Sequence, residues 1–199
     1  VQTSGVRHGG SRMNAGDLLS RERTALLVVD LQEAFRKAVP GFDRIAEASA
    51  TLIRGAVEMA VPVICTEQYP KGLGVTVAEV SDVLPAEASP LEKTRFSATG
   101  AEGFDLAGRD QVVLCGVESH VCVAQTAIDL LSNGLDVRVV EDAIGSRFAS
   151  DREVGLRRMT EAGAVASSVE ASMFELLGEA GTPEFKSVQK MILEFAPGV

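Results

Sequence analysis

The chain has 199 residues, enough for one sizeable hydrophobic core and short for two, so a single domain is expected. Its 28 acidic and 19 basic side chains leave a net charge of −9 with no basic stripe, which argues against a nucleic-acid partner, because phosphate backbones need clustered Lys and Arg. No apolar run reaches the roughly 18 residues of a membrane span, and three cysteines leave one over in any pairing, so neither a membrane protein nor a disulfide-built secreted scaffold is expected.

A reducing cytoplasm is the compartment that fits. Residues 1–16 carry basic side chains but no signal-like apolar stretch, and are expected to form a flexible leader, with the domain covering 17–199. "TALLVV" (24–29) is a continuous apolar run, the pattern of a strand buried on both faces, and "VPVICT" (61–66) repeats it. Between them, residues 42–60 place Ile45, Ala48, Leu52, Ala56 and Met59 at helical spacing. Residues 67–105, rich in Pro and Gly, read as a lid or a long surface connection. The alternation then resumes with a strand at 111–116, a helix at 119–133 closed by Gly134, a strand at 135–142, a helix at 150–163 and a short strand in "AVASSV". Such alternation predicts a three-layer α/β/α, doubly wound and mainly parallel sheet of Rossmann-like type. The ending "TPEFKSVQKMILEF" sets Phe185, Val188, Met191, Ile192 and Phe195 at helical spacing. That stripe docks either on its own core or across a subunit boundary, and a homo-oligomer, dimer or tetramer, is expected.

Ligands in open parallel sheets sit outside the carboxyl ends of the strands, which directs attention to Asp30, Thr66 to Tyr69, Lys93 and Cys115 to Cys122. Asp30 reads equally as a turn cap in "DLQEAF", and Lys93 alone as a solvated lysine. "CGVESHVC" (115–122) puts two cysteines and a histidine within eight positions. Disulfide, metal site, Cys–His pair and core packing all compete for it. Cys65 and Cys115 lie in apolar strands and read as inert core thiols. Cys122 falls in the first turn of a helix, where partial positive charge lowers a thiol's pKa and unpaired N–H groups bind an oxyanion. His120, two residues away, projects to a different side of that helix, and the other histidine, His8, is in the leader.

Three segments, "LLVVDLQEAF", "LEKTRFSA" and "LCGVESHVCVAQTAIDLLSNGLDVRVVEDAIGSR", in this order and spacing resemble the isochorismatase-like cysteine hydrolase family. "TEQYPKGLG" and the C-terminal ending are similar to the subgroup of isochorismatase domain-containing proteins. The resemblance implies a doubly wound sheet and a triad of Asp30, Lys93 and Cys122, together with a cis peptide at Val117–Glu118. It implies a hydrolase cleaving a C–N bond of a small amide, imide or related compound through an acyl-thioester, the oxyanion held by backbone N–H groups at the Val117–Glu118 turn. Ester or thioester hydrolysis by the same triad, and a small-molecule binding protein without turnover, are the alternatives. Gln32, Phe35, Tyr69 and Phe96 are the expected pocket-lining residues. The metal ligands of nicotinamidases have no histidine counterpart in "CTEQYPKGLG", so no metal and no cofactor is expected.

Overall fold

The computed structural model describes residues 17–195, so the expected leader at 1–16 lies outside the described residues. Six parallel strands form one sheet: β1 (Thr24–Val29), β2 (Val63–Gln68), β3 (Leu91–Lys93), β4 (Gln111–Val117), β5 (Asp136–Gly145) and β6 (Val165–Ser167). Their spatial order is β3-β2-β1-β4-β5-β6, so the winding direction reverses between β1 and β4. That reversal opens a crevice at the carboxyl ends of the two central strands, where ligands of doubly wound sheets bind.

Continuous apolar runs arise because β1 and β4 are covered on both faces, and every residue in both is buried. Alternate side chains feed different layers: Leu26 and Val28 pack beneath α2 (Phe42–Glu58), whereas Ala25, Leu27 and Val29 pack toward the helix that follows β4. Cys65 and Cys115 belong to the first layer and Cys122 to the second, and all three are free thiols.

The segment 67–105 is more ordered than its sequence suggests. It contains α3 (Pro70–Leu73), α4 (Ala78–Ser81) and β3, elements of three or four residues, too short to generate a readable periodicity. β2 consequently runs to Gln68, two residues beyond the expected end, because Thr66–Gln68 pair with Leu91–Lys93. Buried Glu67 pins the segment by accepting from both Thr76 N and Thr76 Oγ1 at 2.6 Å. A further helix, beyond those the sequence pattern predicts, spans Val169–Leu177, and Ser168 caps it by accepting from Ala171 N.

The last helix among the described residues, α8 (Phe185–Phe195), buries Val188, Ile192 and Phe195 in the layer under α2. The Arg44 guanidinium of α2 stacks 3.9 Å over the Phe195 ring. Its apolar stripe is therefore satisfied by its own core, and that stripe supplies no ground for a subunit boundary. Among the described residues, no helix is long and apolar enough to cross a membrane.

Candidate active site

Because all strands are parallel, their carboxyl ends share one edge. Asp30 follows β1, Gln68 ends β2, Lys93 ends β3, Glu118 follows β4, and Arg147 stands two residues past β5. Asp30 adopts a left-handed conformation, φ 55°, which turns the chain sharply out of β1 while its N–H still donates to Thr66 O. Its carboxylate is fully buried: Oδ1 accepts from Thr66 Oγ1 at 2.8 Å, and Oδ2 accepts from Lys93 Nζ at 2.7 Å.

Lys93 corrects the plain reading of a solvated lysine, since it is only 4% exposed. Beyond Asp30, its ammonium donates to Gln68 Oε1 at 2.6 Å and Phe96 O at 2.9 Å, so its three N–H bonds have three close acceptors. Gln68 is itself oriented, because its Nε2 donates to Thr94 O and leaves Oε1 for the lysine. Each buried charge thus has an opposite charge and neutral hydrogen-bond partners, the condition under which an ion pair survives desolvation.

Cys122 sits in a π-helical turn, Ser119–Val123, that precedes α5 (Ala124–Ser132). The expected regular helix over 119–133 is wound wider at its start, a distortion frequent at functional sites. Burial pushes the Cys122 thiol up to about 12, the Asp30 charge adds to the rise, and Lys93 acts against it. This rise runs opposite to the lowering expected from a helix amino terminus, with desolvation as its largest cause. Thr126 Oγ1 donates to Cys122 O at 2.7 Å and accepts from Ala98 N, fastening the turn to the neighbouring loop.

A cavity of about 460 Å³ opens over the thiol. Ala34, Phe35, Ala38, Leu73 and Phe96 make an apolar wall, all from the β1 to β3 half of the chain. Glu118, Val121, Cys122 and Arg147 make the other wall, with Gln68 between. Of the expected lining residues, Phe35 and Phe96 are in place. Tyr69, half exposed, borders adjoining hollows of about 380 and 410 Å³. Gln32 stands behind the wall: fully buried, it donates to Gln68 O and Gly74 O and accepts from Gln68 N, bracing two loops.

The Val117–Glu118 peptide is cis, and Val117 is core. Glu118 O accepts from Val121 N and Val123 N, while its carboxylate Oε1 accepts from Arg147 N and Arg147 Nε, both at 3.0 Å. Sequence reading assigned no role to Arg147, although the strand-end rule that selected Asp30 reaches it as well. His120 turns away from Cys122, with Nδ1 3.0 Å from Ser146 Oγ and Nε2 3.7 Å from Asp151 Oδ2. Among the described residues, no group of three or more His, Cys, Asp or Glu side chains converges to hold a metal ion.

Residues 24–171 match the isochorismatase domain model. The chain is 45% identical over 176 residues to isochorismatase domain-containing protein 2 of Macaca fascicularis, covering 86% of this chain and 84% of that protein. A solved structure described as the MAR1 ribonuclease of Caenorhabditis elegans is 40% identical, with a TM-score of 0.85 over 92% of this chain and 95% of its own. The YcaC gene product of Escherichia coli, described as an octameric hydrolase of unknown specificity, is 25% identical, with a TM-score of 0.80 over 90% and 91% of the two chains. With the parallel sheet order and the strand-end crevice, these similarities identify the chain as a member of the isochorismatase hydrolase family.

Proposed function

We propose that this protein is a cysteine hydrolase that cleaves a C–N bond of a small amide, imide or related compound, using Cys122, Asp30 and Lys93 and no metal. The supporting observation is the fully buried Asp30–Lys93 pair beside a thiol that lines a cavity of about 460 Å³. A thiol held near 12 carries almost no thiolate at neutral pH, so the reaction needs a base at hand. Asp30 takes the Cys122 proton as the sulfur forms its bond to the carbonyl carbon and the π electrons move to oxygen. Backbone N–H groups of Glu118 and Cys122 receive the oxyanion. Its collapse breaks the C–N bond, and the proton on Asp30 passes to the leaving nitrogen. Water then attacks the thioester while Asp30 again accepts a proton; sulfur departs, takes that proton back, and the carboxylic acid is released. Lys93 keeps one positive charge beside the carboxylate throughout.

Cys122→Ala should lose turnover by about a thousandfold or more, and Asp30→Asn comparably. With a reactive ester substrate, intact-mass spectrometry should find an acyl adduct on Cys122 in Asp30→Asn and none in Cys122→Ala. Unchanged turnover in Cys122→Ala would overturn the cysteine mechanism. The same atoms would cleave an ester or thioester, and a substrate screen against the Cys122→Ala blank orders the classes.

The Caenorhabditis elegans neighbour favours a second reading, RNA cleavage. A net charge of −9 and a cavity walled largely by apolar side chains support the amide reading instead. Incubation with single-stranded RNA, again with Cys122→Ala as the blank, separates the two. The octameric Escherichia coli neighbour supports a homo-oligomer.

A further inference from the structure

We propose that Glu118 is a specificity-determining residue: its free carboxylate oxygen accepts an N–H of the bound compound, so the cavity takes N–H-bearing amides and ureas and rejects esters of the same shape. This rests on the reading of Cys122 as the reacting centre, and it decides between two reactions that the triad alone allows.

Glu118 is nearly buried and yet incompletely paired. Its side chain is only 8% exposed, and it lines the cavity beside Cys122. Oε1 is engaged twice, accepting from Arg147 N and Arg147 Nε at 3.0 Å. Oε2 has no hydrogen-bond partner among the described residues. Nor is Oε2 enclosed in the core, for the unpaired side-chain atoms sealed there are Ser49 Oγ, Arg109 Nε, Asp136 Oδ2 and Thr182 Oγ1. The opening left to it is the cavity that Glu118 lines.

Little else on the cavity wall can receive a hydrogen bond. Phe35, Leu73 and Phe96 offer only hydrocarbon, and Gln68 is committed at both ends, Oε1 to Lys93 Nζ and Nε2 to Thr94 O. Oε2 of Glu118 is thus the one unclaimed side-chain oxygen on that wall among the described residues. A ligand entering the cavity strips water from this oxygen, and the loss is made good only if the ligand supplies a donor. A primary amide or a urea does so. An ester brings acceptors alone and leaves the carboxylate stranded, the situation in which a polar site discriminates most strongly. Arg147 already counters the charge of Glu118, so the site calls for a neutral donor and not for a cation. On the proposed mechanism the Glu118 N–H meets the carbonyl oxygen, which roots this side chain beside the nitrogen that leaves.

The test measures affinity for Cys122→Ala protein by ligand-observed NMR titration, with benzamide, N,N-dimethylbenzamide and methyl benzoate, and with the three butanoyl counterparts. Both primary amides should bind about tenfold tighter than the matching ester and dimethylamide, the scale of one charge-assisted hydrogen bond. Adding Glu118→Gln keeps a carbonyl oxygen for Arg147 but turns an NH2 group on the cavity, exchanging acceptor for donor, and should erase the margin or reverse it in favour of the ester. Glu118→Asp, which withdraws the acceptor by one methylene, should shrink it. Urea midpoints and retained affinity for methyl benzoate report that each variant keeps its fold. Equal affinity for amide and ester in the Cys122→Ala protein, or a margin that survives Glu118→Gln, would each overturn the proposal. No turnover enters this comparison, so it stays readable if the cysteine mechanism fails, and that mechanism is judged separately by activity of Cys122→Ala.

Discussion

At the scale of residues, the three thiols show how burial and access separate. Desolvation pushes all of them up to about 12, yet only Cys122 faces a cavity, while Cys65 and Cys115 are 1% and 0% exposed. Timed alkylation with site-resolved mass spectrometry should therefore label Cys122 first. The signs of its neighbours give a sharper expectation. Asp30 raises the thiol's pKa, so Asp30→Asn should leave more thiolate at a given pH and speed alkylation of Cys122, even as it abolishes turnover. Lys93→Ala should slow it. The opposite ordering would mean that the carboxylate acts as base toward the alkylating reagent too. Cys122 could be distinguished from the strand cysteines in sequence because it follows an apolar run instead of lying in one. Lys93 could not, for its burial depends on Asp30, 63 positions earlier, and no local pattern encodes such a partner.

At the scale of elements, long strands and helices were legible because each repeats its burial pattern over several turns or pleats. The short pieces α3, α4 and β3 were not, and the π-helical turn carrying Cys122 was read as ordinary helix because its composition does not differ from one. What holds this turn in place is a close approach from α6 (Ala149–Glu161). Gly155 of α6 lies against it so tightly that an added Cβ would stand 2.6 Å from the Ser119 carbonyl and 2.7 Å from His120 N. Both are backbone, so neither can rotate away. Gly155→Ala should destabilise the fold by about 1–3 kcal/mol through overpacking and also displace the turn. Urea melts would read the first effect, and the second should appear as lost turnover at temperatures where the variant is still fully folded. A fully active Gly155→Ala would show that the turn tolerates movement.

At the scale of the whole molecule, the same apolar layers that support the sheet set its response to alkali. An unfolded cysteine loses its proton near its ordinary value of 9.0, whereas the folded chain holds all three to about 12. The folded state then binds more protons, so the thiol contribution to stability is complete below about pH 9 and is lost as pH climbs toward 12. Urea midpoints measured in steps across that window should fall, and a Cys65→Ala, Cys115→Ala double variant should fall less steeply. The strand order that places Asp30, Lys93 and Cys122 together also places an amine beside a sulfur that would carry an acyl group. Transfer of that group from sulfur to nitrogen would give an amide on Lys93 and end the life of the molecule after one mishap. Such transfer needs a nitrogen lone pair, and an ammonium whose three hydrogens are each claimed by Asp30, Gln68 and Phe96 O has none to give. On the proposed mechanism, the cage around Lys93 would keep that nitrogen from the acyl group, turnover after turnover.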